Sequence, residues 1–152
     1  MADRIVVIDG GKCQQIAPPQ EVYSAPSNIK VARFMGYRTV LAMDVVSSNG
    51  EQAVLSGRGL SLTAKIMQPI KGKKALVAVR PEDFKVGAAG GNVIDALIKN
   101  VDYVGFSSQV DLLTGEGDTI HMRTHESLEK DVRIKIGVPP ERALAYPAEK
   151  DQ

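Results

Sequence analysis

Two patterns of apolar and polar positions divide the chain. Residues 4–8, Arg-Ile-Val-Val-Ile, are a short β-rich run, and Asp9-Gly10-Gly11 is the turn signal expected between two hairpin strands. Residues 12–17 make the return strand, and Pro18-Pro19 stops it. Pro19 suits the first position of a helix, with Glu21 in the first turn facing the positive end of the helix dipole. Pro26 keeps that helix short. Ser27 or Asn28 caps the next one. There Ile29, Ala32 and Met35 recur at three-residue spacing beside Val31 and Phe34, which makes one face apolar, and Gly36 is the stop.

After Gly36 the helical period vanishes. Short β-prone runs follow near residues 39–47, 52–56, 61–66 and 75–80. A Gly-rich link, Gly87 to Gly91, leads to a second set near 93–104, 107–113, 118–124, 132–136 and 142–146. Short strands at this spacing, with Gly, Asn and Asp between them, predict a barrel or a sandwich. The expected division is residues 1–37 and 38–152. The two β-rich segments form a weak repeat, each ending on a turn: Arg80-Pro81-Glu82 in the first, Pro139-Pro140-Glu141-Arg142 in the second. Two such halves are expected to interleave into one closed barrel, which would remove exposed edges.

Composition narrows the function classes. A chain of 152 residues accommodates one good domain, or a small domain with an appendage. Its net charge of +1 gives no broad electrostatic case for nucleic acid. Aromatic residues make up only 5% and tryptophan is absent, so Phe84, Tyr103 and Phe106 are too few for a base-stacking platform. Cys13 is the only cysteine, which rules out an internal disulfide and a thiolate-rich zinc site. No apolar run approaches the ~20 residues of a membrane-spanning helix.

Several stretches carry a family resemblance. Residues 2–8, the run Gln15-Ile16-Ala17-Pro18-Pro19-Gln20-Glu21-Val22-Tyr23-Ser24-Ala25-Pro26, and Phe34-Met35-Gly36 together resemble the closing segment of an ABC-transporter ATPase domain. Ala78-Val79-Arg80-Pro81-Glu82-Asp83 resembles the Arg-Pro-Glu-Asp motif of the transport-associated OB-like (TOBE) domain that follows such ATPase domains in importers. Tyr103-Val104-Gly105-Phe106 resembles the Tyr-Leu-Gly stretch opening its second half, and residues 135–142 resemble its closing strand and turn. Ala17-Pro18, Gln20 and Ser24-Ala25 depart from the usual residues of the family, at a turn and on a helix surface.

The resemblance implies a mainly β fold: an OB-like (MOP-like) β-barrel with an N-terminal β-hairpin and two short helices. Residues 1–37 would be the end of an ATPase domain and 38–152 the regulatory domain. It implies the C-terminal part of an importer's ATP-binding subunit, cytoplasmic and held at the membrane through permease subunits. Expected partners are a second copy of itself, those permease subunits, and a regulatory protein or small ligand, with no nucleic acid. ATP and magnesium belong to the full-length parent; for this chain the expectation is no catalytic residue, no metal and no cofactor. The chain has no Gly-x-x-x-x-Gly-Lys-Ser/Thr loop to cradle phosphates, and no Leu-Ser-Gly-Gly-Gln motif, magnesium-holding acidic strand or switch histidine. Only Met1 precedes Ala2, so the chain reads as the tail of a larger ATPase. The apolar strand at residues 5–8 is then expected to be covered by the barrel or by a second chain.

Candidate site residues are few. Arg80, Pro81 and Glu82 mark either a functional contact or a tight turn with proline at its second position and a local arginine–carboxylate pair. Thr124 to Leu128 resembles the oxyanion-holding stretch of molybdate-binding OB-like domains, which puts forward Thr124 and Ser127 as ligand donors; Glu126 and Glu129 work against an anion, and a polar strand corner is the plainer reading. His121 and His125 would stand ~13 Å apart along a strand, too far to share one metal ion. Gly87 to Gly91 reads as a linker rather than a phosphate loop. Lys65, Lys71, Lys73 and Lys74 form a mild basic cluster, a solvated turn or a contact for a regulatory protein.

Overall fold

The computed structural model describes residues 4–87 and 91–148. The hairpin is formed by β1 (Ile5–Asp9) and β2 (Lys12–Ala17), with Gly10 and Gly11 both at positive φ in the turn. Helix α1 (Pro19–Ser24) starts on its proline, and α2 (Ile29–Phe34) is capped by Asn28, whose side chain accepts from the Val31 N–H at 3.0 Å. Gln14 and Gln15 of β2 bind the link between the helices: Ser27 N–H donates to Gln15 Oε1 (2.8 Å) and Asn28 Nδ2 to Gln14 Oε1 (2.9 Å). Val7, Ala17, Val22 and Val31 close over a small core of this segment.

Within the chain the hairpin is covered on one face, by its own helices rather than by the barrel. Ile5 and Val7 point toward α1 and α2, whereas Val6, Ile8 and Ile16 on the alternate face remain exposed. The two-residue period of a strand dictates this: one helical layer can bury only one side.

The rest is mainly β. Strands β3 (Thr39–Ser48), β4 (Gln52–Gly57), β5 (Leu60–Ile66) and β6 (Lys74–Val79) are joined by β12 (Leu144–Pro147) into a closed five-stranded barrel in the order β12-β5-β4-β3-β6. β12 runs antiparallel to β6 and parallel to β5, so the end of the chain seals the first unit. A second sheet, in the order β10-β9-β8-β11-β7, contains β7 (Lys85–Val86), β8 (Asn92–Val104), β9 (Ser107–Thr114), β10 (Thr119–Thr124) and β11 (Arg133–Val138).

Two units therefore replace the single closed barrel expected from the two repeats. They interleave through one exchanged strand. The second sheet stays open, because the strand that would follow β11 leaves to complete the first unit. Arg142 lies not in a strand but in a short 3-10 turn, Pro140–Arg142, since proline cannot donate to a ladder. The strand β7 is additional to those read from the sequence. Gly87 and Gly91 adopt positive φ, and residues 88–90 of the Gly-rich link lie outside the described residues.

A single core joins both units. Leu41, Leu55, Leu62 and Val77 from the barrel meet Phe84, Ile94, Ile98, Leu112, Ile120 and Ile136. Polar pins fix the seam. Asn92, nearly fully buried, donates to Thr63 C=O and accepts from Thr63 N–H, both at 2.8 Å. Arg58 reaches Asp118 at 2.6 Å, and His121 N–H donates to Thr39 Oγ1 at 3.0 Å.

Candidate functional site

The Arg80-Pro81-Glu82-Asp83 stretch lies where the N-terminal segment meets the barrel. β6 ends at Val79, and Pro81–Asp83 forms a 3-10 turn closed by Asp83 N–H donating to Arg80 C=O at 3.0 Å. The turn folds Asp83 back onto Arg80. Arg80 Nε donates to Asp83 Oδ2 at 2.7 Å and Nη2 to Oδ1 at 3.2 Å, the two-pronged geometry that a planar guanidinium allows. Only 7% of Arg80 is exposed.

The other face of that guanidinium belongs to the N-terminal segment. Arg80 sits 4.4 Å from the ring centre of Tyr23 in α1 and 5.8 Å from that of Tyr37, just before β3. Tyr23 Oη donates to Glu82 Oε2, and Tyr37 Oη donates to the Tyr23 carbonyl at 2.9 Å. Behind them Tyr146 of β12 donates to the Pro26 carbonyl at 2.7 Å, fully buried. Ile29 and Ala32 of α2 pack on Ala78 and Leu144 alongside. The residues thus form one junction, with apolar burial supplying the contact and the arginine and tyrosines fixing its register.

Burial pushes the Tyr37 hydroxyl up to about 12; Arg80 opposes this most strongly, Asp83 reinforces it and Arg142 opposes it. Burial likewise raises Tyr146, with Tyr37 adding to the effect. Both hydroxyls are neutral donors at physiological pH, as their carbonyl partners require. An open cleft of about 540 Å³ flanks the junction, bounded by Gln20, Glu21, Tyr23, Ser24, Arg80 and Arg142.

Thr124 and Ser127 lie elsewhere, at the far end of β10. Thr124 pairs across the ladder with Ser108, and its Oγ1 accepts from the Glu126 N–H at 3.1 Å, a local corner bond. Ser127 is exposed. The structure does not bring this pair together with Arg80, Pro81 and Glu82. The histidines have separate partners: His121 Nδ1 meets Asp111 at 2.8 Å and His125 Nδ1 the Phe106 carbonyl at 3.1 Å. Among the described residues no group of three or more His, Cys, Asp or Glu is placed to hold a metal ion. Lys74 pairs with Asp44 at 2.9 Å, on an exposed edge.

Tyr23, Tyr37 and Tyr146 were not among the residues singled out from the sequence. Their common signal is weak. Each is an isolated tyrosine with a small residue on at least one side (Ser24, Gly36, Ala145), and only the tertiary fold brings the three together.

A closed barrel exchanging a strand with an open sheet defines an OB-like class of protein, and the comparisons identify it. Residues 77–145 match the TOBE domain family. Over most of its length the chain is homologous to ATP-binding subunits of ABC importers, matching their C-terminal TOBE region. It is 40% identical over 121 residues to the spermidine/putrescine import ATP-binding protein PotA of Rubrobacter xylanophilus, covering 77% of this chain and 32% of that protein. It is 33% identical over 155 residues to the maltose/maltodextrin import ATP-binding protein MalK of Vibrio vulnificus, covering 96% of this chain and 42% of that one. The chain thus spans less than half the length of these curated relatives. Among solved structures, the cytoplasmic molybdate-binding protein ModG aligns with a TM-score of 0.62 at 14% identity, covering 73% of this chain and 96% of that one, which establishes a shared fold.

Proposed function

We propose that this chain is the C-terminal regulatory and dimerisation region of the ATP-binding subunit of an ABC importer, and that it carries out no ATP chemistry itself. The observation that carries this reading is the Arg80 junction. It ties a segment resembling the end of an ATPase domain to the OB-like barrel through buried, directional contacts. A ligand or protein that favours one barrel arrangement would bias the arrangement of the attached ATPase domains by its differential binding energy.

In this reading the parent works with permease subunits, sits on the cytoplasmic face of the membrane through them, and pairs with a second copy. No described helix is long and apolar enough to cross a membrane. ATP and magnesium belong to the parent's upstream motifs. The purified chain is expected to release no phosphate from ATP and magnesium above the buffer rate; saturable turnover would refute the reading.

A second reading is an oxyanion-binding module. It is favoured by the hydroxyl-bearing corner at Thr124 and Ser127, which lies beside Ser108 on a fold shared with a molybdate-binding protein. Glu126 and Glu129 nearby oppose it. Calorimetric titration with molybdate, tungstate and sulfate tests it, with Ser127→Ala expected to abolish any binding seen.

A further inference from the structure

The turn between β3 and β4 sets an asparagine before a glycine and holds both. The ladder ends where Ser48 faces Ala53, and Asn49 N–H donates to Gln52 C=O at 3.1 Å. Asn49 Oδ1 accepts from the Glu51 N–H at 2.9 Å and the Gln52 N–H at 2.8 Å, an Asx turn that curls the side chain over the peptide following it. The N–H of that peptide belongs to Gly50 and donates to Ser48 Oγ at 3.2 Å. Asn49 Nδ2 bonds to no other described residue, and residues 48–52 are exposed.

These contacts are the parts of a ring closure. We propose that Asn49 is a self-modification site: Gly50 N adds to Asn49 Cγ, the Cγ–Nδ2 bond breaks, and ammonia leaves behind a cyclic succinimide. The Gly50 N–H proton passes to solvent through the Ser48 hydroxyl that accepts it, and Nδ2 takes a proton from water as it departs. Water then opens the ring at either carbonyl. One opening gives aspartate; the other gives isoaspartate, with the backbone rerouted through the side chain. Water is the only other reactant.

The turn favours this step in several ways. Holding Cγ near its nucleophile replaces a search by the free side chain. The two N–H groups on Oδ1 point at the oxygen that becomes negative when Gly50 N adds. Gly50 has no side chain to block the approach, nothing lies within 4 Å of where a Cβ would stand, and its φ of +91° suits glycine. The other asparagines differ. Asn28, Asn92 and Asn100 precede Ile29, Val93 and Val101, whose branched side chains crowd the peptide nitrogen. Asn28 is also held as a helix cap, and Asn92 at the buried seam. Asp9-Gly10 closes the same ring only by releasing water, not ammonia.

The change reaches the barrel. Ile66 N–H donates to Glu51 C=O at 2.8 Å, which stitches the turn to β5, and Gly50 and Ile66 border two open clefts of about 330 and 430 Å³. Isoaspartate adds a methylene to the backbone there, and either product adds a negative charge.

The test is incubation of the full chain at mildly alkaline pH, followed by trypsin. Residues 39–58 form one tryptic peptide with Asn49 as its only asparagine. The expected result is amide-to-acid conversion in that peptide with matching ammonia release, and methyl transfer to the converted chain by a protein isoaspartyl methyltransferase. Peptides carrying Asn28, Asn92 and Asn100 stay unchanged, and Asn49→Gln abolishes the conversion. Ser48→Ala slows it several-fold in the folded chain and leaves the rate in urea unaltered, which an effect of local sequence alone would not do. An Asn49 that stays amide while a free peptide of residues 46–52 converts in the same buffer overturns the proposal. So does equal conversion at the other asparagines, or a folded Ser48→Ala chain that reacts as fast as the unaltered one.

Discussion

Replacing Arg80 with alanine removes the central piece of the junction, and the structure sets the expected cost. The substitution deletes two charge-assisted hydrogen bonds, at 2.7 and 3.2 Å, and leaves the Asp83 side chain, 13% exposed, without its cation. Breaking a buried pair from one side costs about 3–5 kcal/mol. The lost stack on Tyr23, at 4.4 Å, contributes up to about 1 kcal/mol more, and relaxation of Asp83 toward water returns a similar amount. The two smaller effects cancel, and the expected loss is about 3–5 kcal/mol, a large share of the ~5–15 kcal/mol that a domain commands. Arg80→Lys keeps the charge but neither the fork nor the planar stack, and should lose about 1–2 kcal/mol. Urea unfolding followed by far-ultraviolet dichroism measures both. Amide exchange locates the effect, with α1 and α2 losing protection while β3 to β5 retain it. If Arg80→Ala lies within about 1 kcal/mol of the unaltered chain, or if exchange rises equally throughout, the junction does not work as described.

Three further outcomes follow from other contacts. The Tyr37 hydroxyl is raised to about 12 against an ordinary 10 and Tyr146 is raised as well, so the stability they contribute is intact below pH 10 and is lost as pH climbs through 12; ultraviolet titration at alkaline pH should show Tyr37 and Tyr146 ionising only well above pH 10, together with unfolding. Tyr146→Phe strands the buried Pro26 carbonyl and should cost about 1–3 kcal/mol by chemical denaturation, with an effect near zero contradicting the buried bond. Asn92→Ala leaves both the N–H and C=O of Thr63 without partners at the seam between the units and should cost about 2–4 kcal/mol; a change confined to the second sheet's exchange protection would show that the seam is held by apolar packing alone.

Some of this was legible in the chain. The hairpin follows from Asp9-Gly10-Gly11 between two β-rich runs, the helices from Pro19 and Asn28, and the break at Gly36 from a change of period. These are local signals, each readable within a few residues. The barrel's closure was not readable in this way. β12 pairs with β5 and β6 from the far end of the chain, and strand pairing at long range leaves no local mark on either partner. The 3-10 turn at Pro81–Asp83 was visible as turn chemistry, but the stacking of its arginine on α1 was not.

By itself the sequence determined the order and type of most elements and carried motifs that point to a TOBE domain, because propensity, turn chemistry and motif order are properties of neighbouring residues. The tertiary structure decided which strand closes the barrel, which hairpin face stays open, and that Tyr23, Tyr37, Arg80 and Tyr146 meet in one junction. Tyr146 and Pro26 lie 120 residues apart, and they meet only after two sheets have exchanged a strand and buried a common core. Burial and directional bonding between distant residues exist only once the chain has folded, and the coupling proposed for this region depends on them.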